Sequence, residues 1–381
     1  MVSYRELVQS ILRDADGTSL SLTMENMASD SKYLLPSLAD ESCTHSERVA
    51  AGQLVHLLEG WTNFSSALSC LMRNELAQTK HLAYYGELRA VLSLLAWMGV
   101  NTQYDNLYYL KRDGDIQREA KPVRMHQFVW EFWNDWIRTV KVEKLLASNI
   151  KLTEFCTLQD IYQTVRSMSS VSVRLSTNWG VDLCSGASID HRARNTSSYG
   201  ISLASENVQE KLEDPCEFVC EVWKLLLPKS NTIWMFDVAL IKYILGKSIK
   251  LAQTDEILTR AQIGSDIVRN FFKTDECLTI FNYAEKQVSN PKNMLSRCLI
   301  LLRIATLAVV TNANGNENIK KWINNWLRNM FLNDFCDEPE ISDVIYKVED
   351  AIQQLTQESK DLCSKNLLSR PIACLAWGLD L

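Results

Sequence analysis

Apolar residues recur at helical spacing through most of this chain. The longest such run covers 64–100, with Phe64, Leu68 and Leu71, then Leu88, Val91, Leu92 and Leu95, and without proline. The pattern predicts one long helix, or two joined near Thr79. Two further lines run along it. Ala83, Gly86 and Ala90 form a stripe of small side chains. Gly inside a helix costs ~1 kcal/mol against Ala, so such a stripe suits close approach of a second backbone. Gly86 and Ala90 are therefore candidate contacts for a packed or partner helix. Gln78, His81, Tyr85 and Arg89 form a polar and aromatic line, read as a helix edge or the wall of a site.

The same reading extends along the chain. Val2–Leu12 has the pattern of a short amphipathic helix, and Asp14–Ser46 reads as irregular connection. A helix then starts at Ser46-Glu47 and runs through Leu54, Leu57, Leu58 and Trp61. After Val100 the helical period breaks. Two short apolar runs, Asn106–Leu110 and Ile116 onward, flank Asp113-Gly114 and predict a β-hairpin projecting from the helical body. Pro122 opens PVRMHQFVWEFWNDWIRTV, a helix with Trp130, Trp133 and Trp136. These indoles suit a core packed on the 64–100 stretch; if exposed, they suit a partner hot spot or base stacking. His126 on this helix reads as a core-edge histidine.

From Ser169 to Ser205 the composition shifts to ten serines without periodicity, which reads as a long loop and a domain boundary. Beyond it, 215–227, 233–251, 255–272, 293–311, 318–332 and 341–355 each carry a helical pattern. The fold class is thus mainly α, with an N-terminal domain over 1–168, a hairpin near 106–120 and a C-terminal domain over 206–381.

Charge and chemistry narrow the function. The net charge of −6 and pI near 5.6 argue against a general nucleic-acid coat. A local basic patch is compatible with that balance, and Asp190-His191-Arg192-Ala193-Arg194-Asn195 is the sharpest charge cluster. Arg192 and Arg194 there suit a phosphate. The eleven cysteines are odd in number and unpaired in spacing, and the first residues lack an apolar signal core. These features predict free thiols and a cytoplasmic protein. Cys216 and Cys220 read as core cysteines, and no metal-ligand set, phosphate loop or dinucleotide motif is present, so no cofactor or metal is expected. The run Cys298–Val310 is shorter than the ~20 residues of a membrane span. It predicts a buried helix whose Arg303 needs a carboxylate or carbonyl partner.

Arg73-Asn74 resembles the signature of the HEPN family of helical ribonucleases, in which an Arg and a polar residue precede a His by a short spacer. Here the four-residue spacing lands on Gln78, and seven residues separate His81 from Arg73, outside the family spacer. A second pair, Arg194-Asn195, leads to Tyr199 at the four-residue spacing. The resemblance implies Arg73 and His81 as catalytic residues, with Arg192, Arg194, Asn195 and Tyr199 near the phosphate. The segments AYYGELRA, FVWEFW and ARNTSSY also resemble helical proteins of bacterial mobile defence loci. Two functions follow. One is a non-catalytic subunit or adaptor of a multiprotein complex, acting in anti-phage or anti-plasmid defence, with protein partners and no membrane. The other is a divergent HEPN-like, metal-independent nuclease.

Overall fold

The computed structural model describes residues 4–29, 43–103, 106–119, 124–168, 190–195, 215–230, 233–248, 278–313, 317–328, 340–356 and 362–378. These residues are mainly helical, with short antiparallel strand pairs. The anticipated helix at 255–272, Tyr199 and most of the serine-rich segment lie outside the described residues.

The centre is a helical hairpin, α3 (His45–Met72) and α4 (Leu76–Trp97). Thr44 caps α3, its side chain accepting from the Glu47 N–H while Glu47 accepts from the Thr44 N–H at 2.7 Å. The two helices meet at Arg73–Glu75 rather than at Thr79. Asn74 takes φ 62°, a left-handed conformation that Asn tolerates well. Its N–H and that of Glu75 bond back to Leu71 and Cys70 carbonyls. The apolar period runs through this turn without a break, which hides the corner from a periodicity reading.

A third helix, α11 (Pro291–Ala313), lies against this hairpin. It is long and apolar enough to cross a membrane, but 89% of its most apolar window is covered by the protein itself. Two glycines permit the approach. A Cβ on Gly86 would stand 2.5 Å from Cys298 Sγ, and one on Gly60 would stand 2.7 Å from Leu302 Cδ2. Polar bonds fix the register: Trp61 Nε1 donates to Thr306 Oγ1 at 3.2 Å, and Asn312 Nδ2 to Gln53 Oε1 at 2.9 Å. The small-residue stripe is thus used inside the chain. Gly86 and Ala90 are buried and offer no face to a partner.

Around this trio sit α1 (Tyr4–Asp14), α2 (Leu20–Ser29), α5 (Met125–Trp136), α6 (Val140–Asn149), α7 (Leu158–Met168), α8 (Pro215–Leu226), α9 (Met235–Ser248), α10 (Thr279–Glu285), α12 (Glu317–Leu327), α13 (Ile341–Thr356), α14 (Leu362–Leu368) and α15 (Leu375–Gly378). Helix α2 falls in the segment read as irregular; Leu20, Met24 and Met27 seat it in the core. Helix α5 packs on α1 and α4. Its Trp133 and Trp136 are fully covered and Trp130 nearly so. The hot-spot and base-stacking readings of these tryptophans therefore fail, because their area is spent within the chain. Near the C-terminus, a 3-10 turn (Pro371–Cys374) closes on α3 through Ile372 N–H to Ser65 Oγ at 3.2 Å. One apolar core spans both sides of the 169–205 segment, so the halves flanking it do not have separate cores.

The hairpin is present, with β2 (Asn106–Leu110) paired to β3 (Ile116–Arg118) and Gly114 at φ 86°. A third strand, β1 (Val100–Gln103), extends it. It projects less than the sequence suggests: Leu107 and Tyr109 are buried, and Asp16 N–H bonds Leu110 O at 2.9 Å. Two smaller pairs, β4 (Lys151–Thr153) with β5 (Cys156–Thr157) and β6 (Pro228–Ser230) with β7 (Ile233–Trp234), cap helix ends. Arg303 has the partner its setting demands. It grips Asp237 through Nε at 2.9 Å and Nη2 at 2.6 Å, and lies over the Trp234 ring at 4.3 Å. Cys70, Cys156, Cys298 and Cys374 are buried free thiols, and Cys220 is buried as well.

Candidate functional site

Three of the five histidines converge on the N-terminal half of α4. His81 and the Tyr84-Tyr85 pair come from α4, His126 and Trp130 from α5, and His191 and Arg194 from the helical residues 190–195. The spacing of α4 turns His81, Tyr84 and Tyr85 toward one side. His126 and His191 stack with ring centroids 5.6 Å apart and an interplanar angle of 21°. Tyr84 lies 5.5 Å from the His191 ring, and Tyr85 lies 4.9 Å from the His81 ring.

Hydrogen bonds tie the cluster together. Trp130 Nε1 donates to the Tyr84 hydroxyl at 3.3 Å. That hydroxyl also lies 2.9 Å from His126 Nδ1, and the His126 tautomer sets which of the two donates. Arg194 stands 5.7 Å from the Tyr84 ring centroid and 5.1 Å from that of Tyr85, donates from Nη2 to the Tyr85 hydroxyl, and donates from Nη1 to Asn195 Oδ1 at 2.7 Å. Arg194 is buried, whereas Arg192 is exposed.

Burial, then the Arg194 charge, lowers the pKa of His81 and His191; for His126, burial comes first, then His191 and Arg194. All three imidazoles are held toward their neutral form. Burial, before any charge, pushes the Tyr84 hydroxyl well up, so it stays protonated. The half-buried His81, Tyr85, His126 and His191 present two stacked neutral imidazoles, a third nearby, and a guanidinium. Such a set can bind an anionic oxygen and exchange a proton with it.

Under this cluster is a buried charge triad. Arg297 of α11 holds Asp190 through Nε at 2.7 Å and Nη2 at 2.6 Å, and Ser289 Oγ donates to Asp190 at 2.7 Å. Glu87 of α4 lies alongside, its Oε1 3.9 Å from Arg297 Nε. The residue that starts the 190–195 turn is thereby anchored to the central helices.

The sequence-derived candidates divide. His81, Arg194 and Asn195 belong to the cluster or touch it. Arg73 does not: its guanidinium is spent at the corner on Glu75 at 2.8 and 3.0 Å, Ser69 at 2.6 Å and Cys70 at 3.4 Å. The line Gln78, His81, Tyr85, Arg89 splits as well, because Arg89 turns to Glu59 at 2.9 Å and to His56 Nδ1 at 3.0 Å. The sequence alone assigns no site role to Tyr84, Glu87, His126, His191 or Arg297. Lone opposite charges within two apolar helical runs, Glu87 and Arg297, were the available signal. Among the described residues no three His, Cys, Asp or Glu side chains gather to hold a metal ion.

A cavity of about 370 Å³ lies elsewhere, lined by Asp16, Trp97, Lys141, Lys144 and Asn312 among others. Trp97 stands thirteen residues beyond Tyr84 on α4, ~20 Å along the axis. The chemistry clusters at the opposite end, so concavity alone does not mark the site. The chain matches no protein-family model, no curated protein and no solved structure.

Proposed function

We propose that this protein acts on a phosphodiester through the histidine cluster, as a nuclease of general acid–base type. The observation that supports this reading is the meeting of His81, His126 and His191 with Arg194 from three separate segments. In-line cleavage needs a base for the attacking hydroxyl, an acid for the leaving oxygen and a cation for the phosphate. The neutral imidazoles suit the base. A phosphate anion entering the cluster raises the pKa of its nearest imidazole, which then suits the acid. Arg194 supplies the cation. The resemblance to the HEPN signature fits this arrangement through its second Arg-Asn pair, because Arg194 and not Arg73 adjoins the His81–Tyr85 wall.

The alternative of a non-catalytic defence-complex subunit draws on the small-residue stripe, the tryptophans, the hairpin, the acidic balance and the resemblance to defence-locus proteins. Gly86, Ala90 and the tryptophan triplet are enclosed by the chain's own core and give it no contact surface; the hairpin and the acidic balance still suit it.

The test uses the purified chain with single-stranded RNA and DNA. Cleavage by the wild type should fall by ~10²–10⁴ in His81→Ala and in His191→Ala, with the helical circular dichroism unchanged. Arg194→Ala should weaken substrate binding as well as rate. Arg73→Ala should leave the rate within a few-fold of wild type. A wild-type chain that neither binds nor cleaves either polymer would overturn the proposal.

A further inference from the structure

The groups around Glu87 do not balance if every carboxyl is ionised. Glu87 is 1% exposed, Asp190 0% and Arg297 1%. Arg297 has five N–H groups, and all are engaged: two on Asp190, one on Val288 O at 3.1 Å, and two on Lys286 O and Ala284 O at 2.9 and 3.4 Å. None is left for Glu87, and neither Glu87 oxygen accepts a hydrogen bond. The other groups facing it add no positive charge: Cys298 on α11, whose thiol burial pushes well up, and Tyr84 on its own helix. One cation thus serves two buried carboxyls, and Asp190 has taken it. An unpaired buried carboxylate is costly, whereas a carboxylic acid brings an O–H donor.

We propose that Glu87 is a neutral carboxylic acid which shares its proton with Asp190, and that this hydrogen bond latches the 190–195 turn onto α4. It is a positioning residue: it touches no ligand, but it sets where His191 and Arg194 sit. Asp190 has a lone pair left for this bond after two Arg297 contacts and Ser289. Burial, reinforced by the Asp190 charge, raises the Glu87 pKa well above the ordinary carboxyl value. The latch therefore has a pH sense. Once Glu87 ionises, two carboxylates face a single guanidinium and repel.

The role in the site rests on the reading proposed above; the protonation state does not, and it is tested without any activity measurement. Wild type and Glu87→Gln are unfolded in denaturant across pH. Gln keeps the donor and cannot ionise. The ratio of folding constants should then move by up to tenfold per pH unit above about pH 4.3, in favour of the Gln variant. A flat ratio would show an ordinary carboxylate and overturn the proposal. Infrared difference spectra at neutral pH supply the second arm. The wild type should show a protonated-carboxyl C=O band that is absent in Glu87→Gln. Asp190→Asn should also lose the band, since Arg297 is then free to hold an ionised Glu87; a band that persists in Asp190→Asn would overturn the sharing. For the latch, histidine ring signals in NMR should keep the His126–His191 stacking shifts in Glu87→Gln and lose them in Glu87→Ala. Retained shifts in a folded Glu87→Ala would overturn the positioning role.

Discussion

A single missing side chain governs how closely the central helices approach. At Gly86, an added Cβ meets Cys298 Sγ at 2.5 Å, and a buried sulfur on a packed helix has little room to yield. Gly86→Ala should destabilise the protein by roughly 1–3 kcal/mol in denaturant unfolding, as overpacked cores do. In a Cys298→Ala background most of that penalty should vanish, because the colliding atom is gone. An equal penalty in both backgrounds would show that the cost comes from backbone and not from contact. Trp133 is the opposite case. It is fully buried, so Trp133→Ala should cost about 3–5 kcal/mol, read as a lowered midpoint of unfolding. Neither value was legible as such in the sequence. Small residues at helical spacing announce close packing, but not whether the facing helix belongs to the same chain.

At the scale of elements, helix positions were readable and helix ends were not. The periodicity located α3, α4, α5, α8, α11 and α13 to within a few residues, because an amphipathic or buried helix must repeat its apolar positions. The α3–α4 corner stands at Asn74 and not near Thr79, where the sequence allowed a joint, since it is made by one left-handed residue without Gly or Pro. Asn74→Gly should be tolerated, and Asn74→Val should cost ~1–2 kcal/mol through its forced left-handed backbone. Two thermal melts against wild type suffice to compare them. The demand of Arg303 for a partner was legible, since a lone charge in an apolar helix requires one. Its identity as Asp237, sixty-six residues away, was not. Asp237→Ala should be among the most damaging substitutions, about 3–5 kcal/mol, because it strands a buried guanidinium. Asp237→Ala combined with Arg303→Met should recover much of the loss.

For the whole molecule, the five histidines set the acid limit. Burial is the first cause in each case, and it holds the pKa of His45, His56, His81, His126 and His191 below the ordinary value. In the unfolded chain these rings titrate near pH 6.5. Between that value and their lower folded values the unfolded chain binds more protons. Their contribution to stability is therefore complete above about pH 6.5 and is lost as the pH falls through the folded values. Glu87 has the opposite sign: its contribution is complete below about pH 4.3 and fades as the pH rises. Urea unfolding from pH 7.5 down to pH 5 should show falling stability. Replacing the half-buried His56 by Gln should flatten part of that slope, and an unchanged slope would mean that His56 is not among its causes.

By itself the sequence determined that this chain is mainly helical, where its long helices run, that a hairpin turns at Gly114 and that Arg303 must be paired. Each of these is a local property: periodicity, turn chemistry or the cost of an isolated charge acts over a few residues. The tertiary structure alone decided that Gly86 and the tryptophans face inward, that Arg73 stays at its corner, and that Arg194 and His191 meet His81, Tyr84 and His126. Those contacts join residues some forty to more than one hundred positions apart. Nothing in a residue's neighbours along the chain reports which distant helix will cover it, because that choice belongs to the packing of the whole core.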